Sequence, residues 1–394
     1  MTKRANLRHR ANGHYIGKVP TGIEGFDHLS MGGIPKGRTT LLAGTSGSSK
    51  TILGIEFLYR GITQFKENGV FVTFEETPKD IVKNVKSFGW RLDLLEKQKK
   101  FCFVDASPSP DEKEIVGGYD FSALMVRIEY AIRKVRAKRV VMDSISALFP
   151  QYGDEGIIRR ELFRISAQLK KLGVTTLLTA ERLEEYGPIA RFGVEEFVSD
   201  NVMIVRNILE EEKRRRTIEI LKFRGALHQK GEYPFTITNA GVHVLPLTAI
   251  ELKQRSSTKR ISSGNRELDK MCGGGFFRDS IILMSGATGT GKTLTTSTFV
   301  DQGCKAGERA ILFAFEESRE QLTRNALSWG MDFDRMEKAG KLKIVCQYPE
   351  IAGLEDHLLM VKKEISTFKP QRIAVDSLSA LERTGTIKSF REFV

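Results

Sequence analysis

Short apolar runs alternate with amphipathic stretches along this 394-residue chain. Thr39-Thr-Leu-Leu-Ala43 is one such run. A Gly-rich loop follows it, and then Ile52, Ile55, Phe57 and Leu58 recur with the spacing of one helix face. Val70–Phe74, Val140–Met142, Thr217–Leu221 and Ile281–Ser285 are further short runs with strand-like composition. Buried strands alternating with helices predict an α/β fold of three layers with a mainly parallel central sheet. In such a sheet the ligand lies beyond the C-terminal strand ends.

The pattern occurs twice. Thr21–Asp27 matches Ser263–Asp269, and Gly44-Thr-Ser-Gly-Ser-Ser-Lys-Thr51 matches Gly286-Ala-Thr-Gly-Thr-Gly-Lys-Thr293. Val70–Thr77 matches Ala310–Ser318, and Val141-Met-Asp-Ser-Ile-Ser-Ala147 matches Ala374-Val-Asp-Ser-Leu-Ser-Ala380. Four blocks in the same order at a nearly constant offset indicate a duplicated domain. The expected organisation is a basic tail at 1–14, a first domain at 15–245, a linker at 246–262 and a second domain at 263–394. The second domain is shorter, since eighteen residues follow Asp376.

The polar residues at the ends of these runs carry the candidate chemistry. Gly286-x-x-x-x-Gly291-Lys292-Thr293 is a complete Walker A loop. Its backbone N–H groups form an anion nest, Lys292 reaches the β- and γ-phosphates, and the Thr293 hydroxyl ligates Mg²⁺. The first loop keeps Gly44, Gly47, Lys50 and Thr51 but has Ser49 where the pattern has glycine. A Cβ there is expected to strain the backbone or crowd the ligand, weakening affinity. Asp143 and Asp376 end apolar strands, as a Walker B aspartate does.

The pairs Glu75-Glu76 and Glu316-Glu317 place one carboxylate of each pair toward the phosphates as a general base, because adjacent strand residues face opposite ways. Lys222-Phe-Arg224 ends the run Thr217–Leu221, which fits cations reaching a neighbour's phosphates as well as a plain solvated strand end. Phe88 and Trp329 occupy matching places, where stacking on adenine competes with the commoner core role of an aromatic.

These blocks, with Glu185-Tyr-Gly-Pro-Ile-Ala-Arg-Phe-Gly-Val-Glu-Glu-Phe-Val-Ser-Asp-Asn201 and Gly231–Thr238, closely resemble the KaiC family of cyanobacterial circadian clock proteins over residues 15–394. The resemblance implies tandem RecA-like P-loop domains in a homo-hexameric double ring, with ATP and Mg²⁺ between neighbouring subunits. It implies a slow ATPase in the first lobe and an autokinase and phosphatase in the second. The implied partners are KaiB on the first lobe and an output histidine kinase. KaiA is put in doubt, because the family's C-terminal docking tail is not in the chain.

Carried over by residue, Gly44, Thr45, Ser46, Gly47, Ser48, Ser49, Lys50, Thr51 and Ile52 would hold the first nucleotide, with Ser87 nearby. Lys222, Phe223, Arg224 and His228 would approach ATP from the next subunit, with Thr238 and Asn239 near its base; the family usually has aspartate at Asn239. Gly286, Thr288, Gly289, Thr290, Gly291, Lys292, Thr293 and Leu294 would hold the second, with Trp329 on adenine. Glu75, Glu76, Glu316 and Glu317 are the candidate catalytic residues. Thr51, Asp143, Thr293, Glu316 and Asp376 are the candidate Mg²⁺ neighbours. The family's phospho-acceptor pair also lies outside the chain, so autophosphorylation at those sites is not expected.

Composition narrows this little. The net charge of +13 admits a second reading, an ATPase acting on single-stranded DNA, but no ladder of basic and aromatic residues accompanies it. A third reading is a nucleotide-bound scaffold without turnover, motivated by Ser49 and the short second domain. Glu210–Glu212 abutting Lys213–Arg216 reads as a charged hairpin or subunit contact. Cys102, Cys272, Cys304 and Cys346 form no Cys-x-x-Cys pair and read as reduced, mostly buried thiols. With neither a signal segment nor a membrane-length apolar run, a cytoplasmic location is expected.

Overall fold

The computed structural model describes residues 16–107, 121–147, 155–193, 195–210, 212–245 and 256–384. The basic segment 1–14 and most of the expected linker lie outside them. The chain divides into two compact units, Met1–Pro246 and Leu247–Val394. No helix among the described residues is long and apolar enough to cross a membrane. The four cysteines are free; Cys304 is buried but Cys346 is exposed, so the thiols are less buried than their composition suggested.

The first unit is built on a nine-stranded sheet. Its strands are β1 (Thr39–Gly44), β2 (Gly69–Thr73), β3 (Phe101–Asp105), β4 (Arg139–Asp143), β5 (Thr175–Glu181), β6 (Asn201–Glu210), β7 (Lys213–Phe223), β8 (Glu232–Thr238) and β9 (Gly241–Val244). They lie in the order β9-β8-β7-β6-β1-β5-β4-β2-β3. The six strands β1 to β6 run parallel, and β7 to β9 extend the sheet as antiparallel hairpins. The Glu210/Lys213 charge boundary is the tip of the β6–β7 hairpin, where Glu210 pairs with Lys213.

Alternation along the strands sorts the core into two layers. Val70 and Val72 pack with Leu124 and Ile128 of α2 (Phe121–Val135) and Leu162 and Ile165 of α3 (Glu155–Lys171). Phe71 faces the other way, with Val141, Leu53, Phe57 and Leu58 of α1 (Lys50–Phe65). Helices on both faces leave β1 buried along its whole length. That is why Thr39–Ala43 reads as a continuous apolar run rather than an alternating one.

Arg139 is fully buried. Its guanidinium donates to the Phe57 carbonyl at 3.0 Å, the Pro20 carbonyl at 2.8 Å and Glu67 Oε2 at 2.7 Å, and lies over the Phe57 ring at 4.6 Å. Gly61 makes the room, since a Cβ there would run into the Arg139 side chain.

In the second unit β10 (Ala310–Ala314) lies between β11 (Leu342–Cys346) and β12 (Arg372–Asp376), all parallel. The helix α4 (Lys292–Lys305) follows the second loop, and α5 (Arg319–Ser328) follows the Glu316-Glu317 pair. Arg372 repeats the buried arginine, donating to Glu308 at 2.6 Å and to the carbonyls of Ser262 at 2.7 Å and Phe299 at 3.0 Å, with Gly303 in the place of Gly61.

One expectation fails here. Ile281–Ser285 forms no strand, and Ile281 and Leu283 are 91% and 79% exposed. Its counterpart β1 is held between β5 and β6, which follow Asp143 in the chain. No described residue after Asp376 forms the corresponding strands.

The arginine pockets generate a test. Gly61→Ala should destabilise the first unit by about 1–3 kcal/mol, the usual cost of overpacking a core that cannot yield. Gly303→Ala should do the same to the second unit. Denaturant unfolding would measure both, and alanine tolerated at both positions would contradict the packing argument.

Candidate functional site

The first P-loop begins where β1 ends. Gly44 lies so close to β6 that a Cβ would collide with Val205 and with Ser48 Oγ. The loop closes on itself: Ser48 Oγ donates to the Thr45 carbonyl at 2.7 Å. Lys50 Nζ donates to the carbonyls of Gly44 at 3.0 Å and Thr45 at 2.9 Å. The second loop repeats this, with Thr290 donating to the Ala287 carbonyl at 2.8 Å and Lys292 to those of Gly286 at 2.7 Å and Ala287 at 3.0 Å. Each lysine therefore sits at the mouth of its loop on bonds that an anion can replace.

Ser49 adopts φ 75°, in the left-handed region, as does its counterpart Gly291 at φ 87°. A Cβ added at Gly291 would meet nothing within 4 Å. Ser49 thus carries backbone strain of about 1 kcal/mol, as a non-glycine residue in this region does.

Thr51, the second residue of α1, donates to Asp143 Oδ2 at 2.6 Å. Thr179 of β5 bonds the other carboxylate oxygen. Burial pushes the Asp143 carboxyl above the ordinary aspartate range, against the two hydroxyl bonds and the Lys50 charge. Burial likewise lowers the Lys50 ammonium, opposed by Asp143, Glu181, Glu75 and Glu185. Glu75 is raised by burial first, then by Glu181 and Asp143, so it shares their field. Glu76 instead accepts from Asn84 Nδ2 at 3.1 Å. The pair thus splits between the loop and the following helix.

The second site is looser. Glu317 accepts from Asn325, the counterpart of Asn84, at 3.5 Å, and burial and then Asp376 raise its carboxyl. Glu316 accepts from Ser377 Oγ at 2.9 Å. Thr293 makes no bond to Asp376, in keeping with the unpaired segment Ile281–Ser285 before its loop.

Other candidates stand apart from the first loop. Phe223 pairs with Asn201 at the start of β6, whereas Gly44 pairs with Val205. Four residues of strand, about 13 Å, separate the two levels, so Lys222, Phe223 and Arg224 lie toward the opposite end of the sheet from their own loop. There Lys222 donates to the Ser199 carbonyl at 3.3 Å and Arg224 pairs with Asp200 at 3.6 Å. His228 packs edge-on against Phe223. Thr238 bonds His243 at 2.9 Å on β8, three strands from β1, and Asn239 follows it. Ser87 is exposed, 3.4 Å from the Asn84 carbonyl. Phe88 stacks on Trp90, which stacks on Tyr59, so it belongs to the core, while Trp329 is 38% exposed at the end of α5.

Sequence reading missed Glu181 and Glu185. Glu181 ends β5 beside Asp143, a placement legible only once β5 is known to neighbour β4. No cluster of three or more His, Cys, Asp or Glu residues among the described residues is arranged for a metal. The first loop nonetheless fits an Mg–nucleotide, because such an ion takes one or two protein oxygens and draws the rest from phosphates and water. Thr51 and Asp143 are placed to supply them.

A family model for "ATPase: KaiC" matches residues 19–249 and 261–394. The chain is 63% identical over 379 residues to the circadian clock oscillator protein KaiC of Picosynechococcus sp., covering 96% of this chain and 73% of that protein. It is 62% identical over 389 residues to that of Synechococcus elongatus, covering 99% and 74%. With the protein of that name from Nostoc sp. it shares 60% over 392 residues, covering 100% and 76%.

Two tests follow. The raised carboxyl means that ionised Asp143 costs stability, fully above its folded pKa and less as pH falls through it. Asp143→Asn should therefore raise the melting temperature of the nucleotide-free protein at neutral pH, by an amount that shrinks toward acid. A melting temperature lowered equally at all pH values would show the carboxylate to be stabilising. Ser49→Gly should stabilise by about 1 kcal/mol in denaturant unfolding through relief of the left-handed strain, and no gain would place the strain elsewhere.

Proposed function

The chain belongs to the KaiC family of ATPases, and on that premise we propose that its first unit is a slow ATPase and that the protein is a core component of a circadian clock. The observation that carries the reading is the joining of Lys50, Thr51 and Asp143 at one loop mouth, with Glu75 in the same field.

Entering phosphates exchange with the Gly44 and Thr45 carbonyls as partners of Lys50. The loop N–H groups take the remaining phosphate oxygens. Thr51 and Asp143 would hold Mg²⁺, whose charge would offset that of the phosphates. Glu75 accepts a proton from the attacking water as the new P–O bond forms and the bond to the bridging oxygen breaks, leaving ADP and phosphate. A base with a raised pKa suits this transfer. Asn84 holds Glu76 beside it.

The position of Lys222 and Arg224, away from their own loop, supports a ring in which they serve a neighbour's nucleotide. A homo-hexamer with ATP at subunit boundaries is the corresponding assembly, with KaiB on the first unit and an output histidine kinase as partners. For the second unit the reading is a phosphoryl-transfer site of the kinase type, with Glu316 as base and Glu317 beside Asp376. The protein acts in the cytoplasm.

The experiment is steady-state ATP turnover of the chain beside Lys50→Ala. Turnover should be present and should fall by at least about a hundredfold in the variant, the scale set by losing preorganised charge stabilisation. Turnover unchanged by Lys50→Ala would remove the first loop from catalysis. ATP binding without turnover would leave the scaffold reading in its place.

A further inference from the structure

Between β5 and the next helix the chain folds back on itself over residues 182–190. The Arg182 guanidinium donates to the carbonyls of Gly187 at 2.9 Å and Pro188 at 3.0 Å, and its backbone N–H donates to the Gly44 carbonyl at 3.0 Å. This loop carries half-buried Glu185 to the rim of the P-loop. Thr45 Oγ1 donates to Glu185 Oε1 at 2.7 Å, and the Asn207 N–H donates to Oε2 at 3.0 Å. Both carboxylate oxygens are engaged, one by the P-loop and the other by β6.

We propose that Glu185 is a positioning residue for the first P-loop, fastening Thr45 to β6 and so setting the width of the phosphate cradle. The proposal rests on the reading of that loop as the ATP site.

Three observations carry it. The base of the loop is already fixed, because Gly44 lies against Val205; the rim is what remains to be held. The Asn207 amide lies beside Gly47, where an added Cβ would be 3.4 Å from Nδ2, so the loop tip rests on the residue that Glu185 grips. Glu185 is also itself anchored. Its carbonyl accepts from Arg206 Nε at 3.0 Å, and Arg206 is paired to Glu219 at 2.7 Å and Glu232 at 3.2 Å and capped by the Tyr186 ring at 4.9 Å. The sheet beyond β6 thus supports the rim through Arg206 and Glu185. Charge alone does not account for the arrangement, since a carboxylate beside a phosphate site is unfavourable unless its oxygens are otherwise occupied, as these are.

The test uses the full chain with Glu185→Ala, Glu185→Gln, Thr45→Val and the Glu185→Ala/Thr45→Val pair. A hydrogen bond to a carboxylate is worth about a factor of ten or more in an equilibrium. Glu185→Ala should raise KM for ATP about tenfold while kcat falls far less, and should weaken ADP binding by calorimetry to match. Glu185→Gln keeps an acceptor for Thr45 and should recover part of the loss. Thr45→Val should imitate Glu185→Ala, and the double variant should be little worse than either, because both remove one coupling. An unchanged KM and ADP affinity, or additive losses in the double variant, would overturn the proposal. So would a lowered melting temperature with no change in KM. Absence of turnover in the unsubstituted chain would sink the ATPase reading alone, since the ADP titrations still test Glu185.

Discussion

The structure depends on one strand and one helix being fixed to each other at both ends. At one end Arg139, the first residue of β4, donates to the carbonyl of Phe57 in α1. At the other, Thr51 of α1 donates to Asp143, the last residue of β4. A buried guanidinium costs several kcal/mol unless its donors are matched, so Arg139 can occupy its pocket in essentially one way. Its partners come from the N-terminal segment, the helix and the lead into β2, and it fixes all three together. The helix cannot rotate or slide without breaking that set, and Lys50 and Thr51 are its first two residues. The second unit keeps the buried arginine but lacks the Thr–Asp bond, and the site around its loop is correspondingly less assembled. The arginine end therefore establishes the helix, while completion of the sheet closes the site.

The site itself concentrates like charge. Burial first, and then the charge of Glu181, raises the affinity of Asp143 and Glu75 for protons, with Lys50 to oppose them. Such an arrangement is unfavourable in isolation and becomes favourable when cations and phosphates enter together. Ser49 adds backbone strain at the same loop. Both features localise a cost to stability at the place where ligand binding can relieve it, as functional sites commonly do.

What the sequence discloses follows from how local each signal is. The loops, the paired glutamates and the strand-end aspartates are legible because each is a short block whose chemistry depends on its own backbone. The three-layer sheet is legible because β1 must be apolar on both faces. Ile281–Ser285 is also a short apolar run, yet it is not a strand, because hydrogen bonds to neighbours make a strand and composition does not. Glu181 and Glu185 carry no periodic or motif signal; they reach the loop through the neighbouring positions of β5 and β6, which only the fold reveals. Phe88 takes the commoner core role of an aromatic, stacked on Trp90, which in turn stacks on Tyr59.

The antiparallel turn into β7 has the widest consequence. Because β7 runs back along β6, its C-terminal cations finish beside Asn201, at the end of the sheet away from Gly44. A P-loop ATPase commonly needs a cation beyond its loop lysine to meet charge developing on the transferred phosphoryl group. Within one first unit, Lys222 and Arg224 cannot be that cation. Either the first loop works with Lys50 alone, or the missing charge arrives from another copy whose β7 end faces this loop. The second case makes catalysis a property of the assembly. It also gives the Arg206–Glu219–Glu232 cluster a second role, because the β7 strand that bears the cations is the one that supports the P-loop rim through Glu185. A displacement of β7 would then bear on a subunit's own loop and on its neighbour's nucleotide through the same strand.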